Sequence, residues 1–196
     1  MTETAELDQL LIDNLSDLDT AAKRIEDIGN EVFRQLRQEN DEWSTGQGWR
    51  GVSTDTSLLT GPLDWEAEGE KEAWFYLSGG PGDPETGEGD WPYFWLTRYL
   101  GVGNGQLCLW LNQKVTGHRK WKPLARSSAE ALASSGFHLS DAGNFYLPCS
   151  LDPAAIGSAL GEGDLSDAMA PFRAALDRAA EAKPHFDALF DKARNA

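Results

Sequence analysis

From Leu7 to Leu36 apolar side chains recur every three or four residues, at Leu7, Leu11, Leu15, Leu18, Ala22, Ile25, Val32 and Leu36, and Gly29 fills the one slot of the series without a side chain. That period lays one apolar stripe along an α-helix, so residues 1–40 are predicted to form a long amphipathic helix. Asp8, Asp13 and Asp17 near its start and Arg34 and Arg37 near its end suit the helix dipole. The same spacing returns at Leu165, Met169, Phe172, Leu176, Ala179, Phe186, Phe190 and Ala193. Pro184 has no N–H for the helical ladder, so the second stripe is expected to kink or break near Lys183, with Pro171 in a first turn. Stripes this long predict terminal helices packed on each other or on one face of a sheet, with Gly29 letting a neighbour approach closely. Heptad spacing over about four repeats also fits a coiled coil, which leaves monomer and homodimer both open.

Between the stripes the pattern changes. Residues 43–121 hold all eight tryptophans and 13 of the 20 aromatic residues. The continuous apolar runs 73–77 and 107–111 are too short for helices and are bounded by Gly and polar residues, which predicts central strands covered on both faces. Shorter strands are expected at 48–53, 58–59 and 144–147. Helices are expected from Trp91 to Leu100 behind the cap Asp90, from Leu124 to Ser134, and from Pro153 to Leu160 behind Asp152. The stretch SGGPGDPETGEGD, residues 78–90, reads as a long, exposed, mobile loop within the sheet region. These elements predict one α+β domain over residues 1–196: a central, mostly antiparallel sheet from 43–150, covered by the long N-terminal helix and by the C-terminal helices of 151–196.

Charge adds a polarity to this outline. The net charge is −15, residues 1–100 hold 22 acids against 7 bases, and the only electropositive segment is Lys114 to Lys122 with Arg126 just beyond. A field of one sign selects and steers partners without specifying fold. Cys108 and Cys149 lie in apolar runs, as expected of buried thiols in a reducing compartment. Met1 to Glu6 has no basic or apolar leader and no apolar run is long enough to span a membrane, so the expected location is cytoplasmic, without membrane contact.

Five constellations are weighed for chemistry. Lys114, Arg119, Lys120, Lys122 and Arg126 can contact phosphates, and Trp121 among them can stack on a base, but a strongly acidic chain repels polyanions, and cations paired with the acidic first helix or with an acidic loop are the plainer expectation. The carboxylates Asp83, Glu85, Glu88 and Asp90 resemble calcium ligands, yet an EF-hand beginning at Asp83 needs Gly and Glu where Glu88 and Phe94 stand. Asp64 with Asn112, Gln113 and Lys114 imitates the carboxylate and acid-x-Lys layout of a magnesium nuclease, with Asn112 in place of the required acid. No phosphate-cradling Gly loop, nucleophile elbow or paired metal motif is present, and His118, His138 and His185 are scattered, so no cofactor, metal or catalytic residue is assigned. Trp43, Trp49, Trp65 and Trp91 neighbour loop residues, and at least one is expected to be an exposed contact anchor.

The reading that follows is a non-enzymatic, acidic interaction or regulatory protein for a basic protein partner, a nucleic-acid-binding protein being one such partner. Asp13, Asp17 and Glu31, which lie off the apolar stripe, are the expected contacts along with the four tryptophans. The competing reading is a phosphate-, nucleotide- or nucleic-acid-binding domain, a degenerate nuclease-like fold included, that uses residues 114–126.

Overall fold

A computed structural model of the chain describes residues 3–67 and 69–196. The fold is α+β. Helices α1 (Glu3–Asp13) and α2 (Leu15–Gln47) lead into strands β1 (Trp49–Ser53) and β2 (Leu58–Pro62). A short 3-10 turn, the small ribbon β3 (Glu66–Ala67) and β4 (Glu70–Lys71), and β5 (Ala73–Gly79) follow, then α3 (Trp95–Tyr99) and β6 (Leu107–Gln113). The chain continues through α4 (His118–Ala133), β7 (His138–Leu139), β8 (Phe145–Pro148), α5 (Pro153–Glu162), a second 3-10 turn and α6 (Ala170–Arg194). Six strands form one sheet in the order β1-β2-β5-β6-β8-β7, with every neighbouring pair antiparallel.

One sheet face carries Phe75, Leu107, Leu109, Leu111, Phe145 and Leu147, all buried, and the long helices gather on it. Phe186 of α6 meets Phe75 edge-on with ring centroids 5.7 Å apart, and Trp121 of α4 lies 6.0 Å from Phe190. The inner half of α2 joins through Val32 and Leu36, and through a 2.7 Å hydroxyl contact from Ser44 to Thr60 of β2. Gly51 makes that approach possible, because a Cβ there would lie 3.1 Å from the Ser44 side chain. The terminal helices also touch directly: Arg173 Nη1 donates to Glu39 at 2.9 Å and Trp43 Nε1 to Asp177 at 2.8 Å.

Among the described residues no helix packs on the other sheet face, which corrects the expectation of strands covered on both sides. The register aligns Val52, Leu59, Tyr76, Trp110, Tyr146 and His138 in one row across all six strands. The rings protect one another: Tyr146 stacks 4.9 Å from Trp110 and 5.4 Å from His138. Trp110 Nε1 donates to the Gly79 carbonyl at 2.8 Å, and this indole is only 8% exposed. Trp74, by contrast, is half-buried, with the Lys114 ammonium 5.5 Å from its ring centroid.

Four helices depart from their predicted bounds. Helix α2 runs past the expected end at 40 to Gln47, where Gly48 in the left-handed conformation stops it. Pro184 sits inside a continuous α6, where the position is exposed and water can satisfy the carbonyl that proline leaves free. Helix α4 starts six residues before Leu124, with Pro123 within it, so most of the basic run is helical. Helix α3 begins only at Trp95, because Pro92 disfavours helical backbone at Trp91 and Gly87 brings the chain against Tyr93.

Candidate functional site

The stripe on the first helix divides into two halves with different fates. At Asn14 the helix shifts, although the hydrogen bonds Asn14 N–H to Leu10 C=O and Leu18 N–H to Asn14 C=O carry the ladder across. Every residue from 4 to 21 is exposed, and Leu7, Leu10, Leu11, Ile12, Leu15 and Leu18 stand 42–67% in water. Only from Ile25 onward does the stripe meet the body of the molecule. Residues 4–22 hold five acids, Glu6, Asp8, Asp13, Asp17 and Asp19, and no base. The result is an acidic helical arm whose apolar side has no partner among the described residues.

The arm leads directly into a groove of about 420 Å³ at its root. One wall is α2 at Ile25, Glu26, Gly29, Asn30 and Phe33, and the other is the segment Tyr93 to Leu96 with Tyr99; Leu77 and the β1–β2 turn at Asp55 and Thr56 complete it. Gly29 does admit a neighbour, but the neighbour is Leu96 of α3 rather than a C-terminal helix, at 3.7 Å from where a Cβ would stand. Phe33 stacks on Tyr99 with centroids 6.2 Å apart, and Trp95 lies 5.9 Å from Tyr99. Tyr93, at 75%, and Trp95, at 37%, are the exposed aromatics of the molecule's described surface.

An ion pair out of reach of solvent fixes this wall. Arg98 donates from Nε and Nη2 to the two Asp83 oxygens at 2.7 and 2.8 Å, and both side chains are fully buried. The guanidinium lies 4.9 Å from the Trp95 ring centroid. Burial pushes the Asp83 carboxyl up, but the Arg98 hydrogen bonds, the Glu85 N–H and the guanidinium charge outweigh it and hold the group below its ordinary range. Residues 81–90 form the expected exposed loop, and Asp83 ties it to Arg98 at one buried point. Glu85 also turns back to accept from the Gly79 N–H at 3.4 Å, close enough that, after burial, its charge raises the Tyr76 phenol.

The expected site residues separate into distinct places. Asp13 and Asp17 lie on the arm, exposed, and Glu31 is half-buried past its root. Trp65 belongs to the core, 5.0 Å from Phe190 with its Nε1 donating to Asp187 at 2.7 Å, and is removed from the surface candidates. Trp43 and Trp49 pack edge to face at 5.1 Å against that core, and Trp91 is half-buried beside Gly82. None of the four is fully exposed; the exposed aromatic residues among those described are Tyr93 and Trp95.

Trp121 is also buried, donating to the Gly143 carbonyl at 3.0 Å, so it has no face for a base. Arg119, Lys120 and Arg126 are exposed on α4, Lys122 is half-buried, and Lys114 lies by Trp74 on the uncovered sheet face. No ion pair forms at any of them among the described residues, so the expected pairing with the acidic first helix is absent. They line none of the grooves described here. The nuclease-like layout fails geometrically, since Asp64 bonds Lys183 of α6 at 2.8 Å while Asn112 pairs with Trp74 on the opposite face. Among the described residues no three His, Cys, Asp or Glu converge as metal ligands. Burial raises the Cys108 thiol to about 12 and the Cys149 thiol well above its usual value, which makes both poor nucleophiles.

No protein-family model, curated protein or solved structure matches this chain.

Proposed function

We propose that this is a non-enzymatic interaction protein whose acidic arm, with the aromatic groove at its root, receives a basic amphipathic segment of a partner protein. The observation that carries this reading is the set of six large aliphatic side chains left in water on a helical arm that bears five acids and no base between Thr4 and Ala22. Covering six half-exposed aliphatic residues is worth about 1 kcal/mol each, roughly 6 kcal/mol before the cost of association. The carboxylates add steering and select a cationic partner over another acidic one. A nucleic-acid-binding protein is a partner of this kind. Two free, buried cysteines and the lack of any helix long and apolar enough to cross a membrane, among the described residues, agree with a cytoplasmic setting.

A labelled 18-residue helical peptide built from leucine and lysine in heptads tests the reading by fluorescence anisotropy. Binding in the low micromolar range at low salt, weakened by added salt and by at least tenfold in Leu11→Asp with Leu15→Asp, is the expected result. Equal binding by that variant contradicts it, and a tight dimer in sedimentation whose arms cover each other replaces the partner with a second copy.

The cations of α4, which with Lys114 after β6 form no ion pair among the described residues, support a second reading, in which Lys114, Arg119, Lys120, Lys122 and Arg126 hold a phosphate-bearing ligand. A single-stranded oligonucleotide that binds in a salt-dependent way, and no longer binds when Arg119, Lys120 and Lys122 are reversed to Glu, is its signature.

A further inference from the structure

We infer that the groove at the root of the arm is an arginine-recognition site, which seats a guanidinium of the partner segment between aromatic rings and two carboxylates. The inference rests on the reading of the arm as a docking surface for a basic segment, and names the side chain that fixes the segment's position on it.

Three observations converge on that occupant. The groove presents five aromatic rings, from Phe33, Tyr93, Phe94, Trp95 and Tyr99, and ring faces attract cations through their quadrupole. Its polar rim supplies Glu26 and Asp55, and no Lys, Arg or His is among the residues that line it. Asp55 is 97% exposed and tied only to Arg37 at 3.0 Å, a surface contact weak enough to be exchanged for a better one. An aromatic cavity with an acidic rim disfavours an anion and wastes its carboxylates on a neutral group. Arginine fits better than lysine because a planar guanidinium lies flat on rings while its fork reaches a carboxylate, whereas an ammonium is a compact, strongly hydrated charge.

The wall is also held in advance of binding. Arg98, which lies 4.9 Å from the Trp95 ring, has its charge balanced by Asp83 through two hydrogen bonds, so it orients the wall without presenting a free positive charge to the incoming cation. Tyr93 stands 75% exposed on the same wall, and closing over the guanidinium would cover it. The volume of about 420 Å³ holds an arginine side chain with its flanking backbone.

The test uses the full chain with tryptophan indole nitrogens labelled for NMR, titrated with N-acetyl-arginine amide, its neutral isostere N-acetyl-citrulline amide, and N-acetyl-lysine amide. Arginine amide at millimolar concentration is expected to shift the Trp95 indole signal, with citrulline amide at least fivefold weaker. Glu26→Gln with Asp55→Asn should weaken the arginine response about threefold. Tyr93→Ala, at an exposed position where the fold does not depend on the ring, should weaken it about fivefold. Equal responses to arginine and citrulline overturn the inference, as does tighter binding of lysine amide or a response untouched by these variants. The arm variant Leu11→Asp with Leu15→Asp separates the two readings. If it abolishes peptide binding while the arginine amide shift is absent from every protein, the arm reading stands and this one falls; an arginine shift without peptide binding leaves this site and removes the arm.

Discussion

Asp83→Ala removes one half of the buried ion pair that anchors the acidic loop, and its cost follows from the geometry. The Arg98 side chain is 0% exposed, spends Nε and Nη2 on the Asp83 carboxylate, and already has no partner at Nη1. Without the carboxylate the guanidinium keeps its charge with no counter-ion and no satisfied donor. Truncating one member of such a pair costs about 3–5 kcal/mol. That is a large part of the roughly 5–15 kcal/mol that stabilises an ordinary domain. At about 2–4 °C per kcal/mol for a chain of this size, Tm should fall by about 6–20 °C. Urea unfolding followed by far-ultraviolet circular dichroism at pH 7 reads the loss. Asp83→Leu with Arg98→Met should recover most of it, because an apolar pair carries no desolvation penalty.

Acid adds a second readout on the same pair. The Asp83 carboxyl is held below its ordinary value in the fold, through the Arg98 and Glu85 hydrogen bonds that outweigh burial. Its contribution is therefore complete above about pH 4 and disappears as pH falls through the depressed folded value. Wild-type protein should lose that increment on acidification and Asp83→Ala should not. A loss below about 1 kcal/mol at pH 7, with unchanged acid sensitivity, would refute the buried pair as the anchor of the loop.

Other outcomes follow from burial and hydrogen bonding. Trp110→Ala should cost about 3–5 kcal/mol in urea unfolding, while Trp74→Ala, at a half-buried position, should cost about 1–2 kcal/mol; equal losses would contradict the uncovered sheet face. Pro184→Ala should stabilise the protein by about 1–3 kcal/mol in thermal unfolding, since it restores an N–H within the exposed side of α6, and a loss would show that the ring relieves strain there. Deleting residues 1–18 should leave Tm within about 2 °C, because residues 4–18 are all exposed, whereas deletion through residue 36 removes Val32 and Leu36 and should unfold the chain.

Much of the architecture was legible where one signal dominated. The inner half of α2 and the stripe of α6 announced themselves by period, and β5 and β6 by short aromatic runs between Gly and polar residues. The same runs misled about their second face, because continuous apolar character reads as burial on both sides, and nothing local reports that Trp110 and Tyr146 stack on each other at 4.9 Å. The outer half of the first stripe looked like core for a related reason: Leu7 to Leu18 have the pattern of a packed helix, and period alone does not say what packs on it. The groove was harder to read, since it forms where α2 meets Tyr93 to Tyr99, far apart in sequence. One clue was available at Arg98, the lone base between Lys71 and Lys114, set in the largely apolar turn Trp95 to Leu100. A charge in such a place needs a counter-ion, and the acidic loop before it was the nearest source. Trp121 was misplaced because the helix was expected to begin only at Leu124; its start at His118 carries the indole into the core and leaves Arg119 and Lys120 exposed.

Hydrogen exchange across Leu7 to Ile25 tests most directly whether the acidic arm is a docking surface without a partner inside its own chain. In the monomeric protein these amides should exchange faster than those of Val32 to Leu36, and the leucine–lysine heptad peptide should protect them in a manner that added salt reverses. Protection already equal to that of the core in the free monomer, or none under saturating peptide, would contradict the arm as the site where this protein meets its partner.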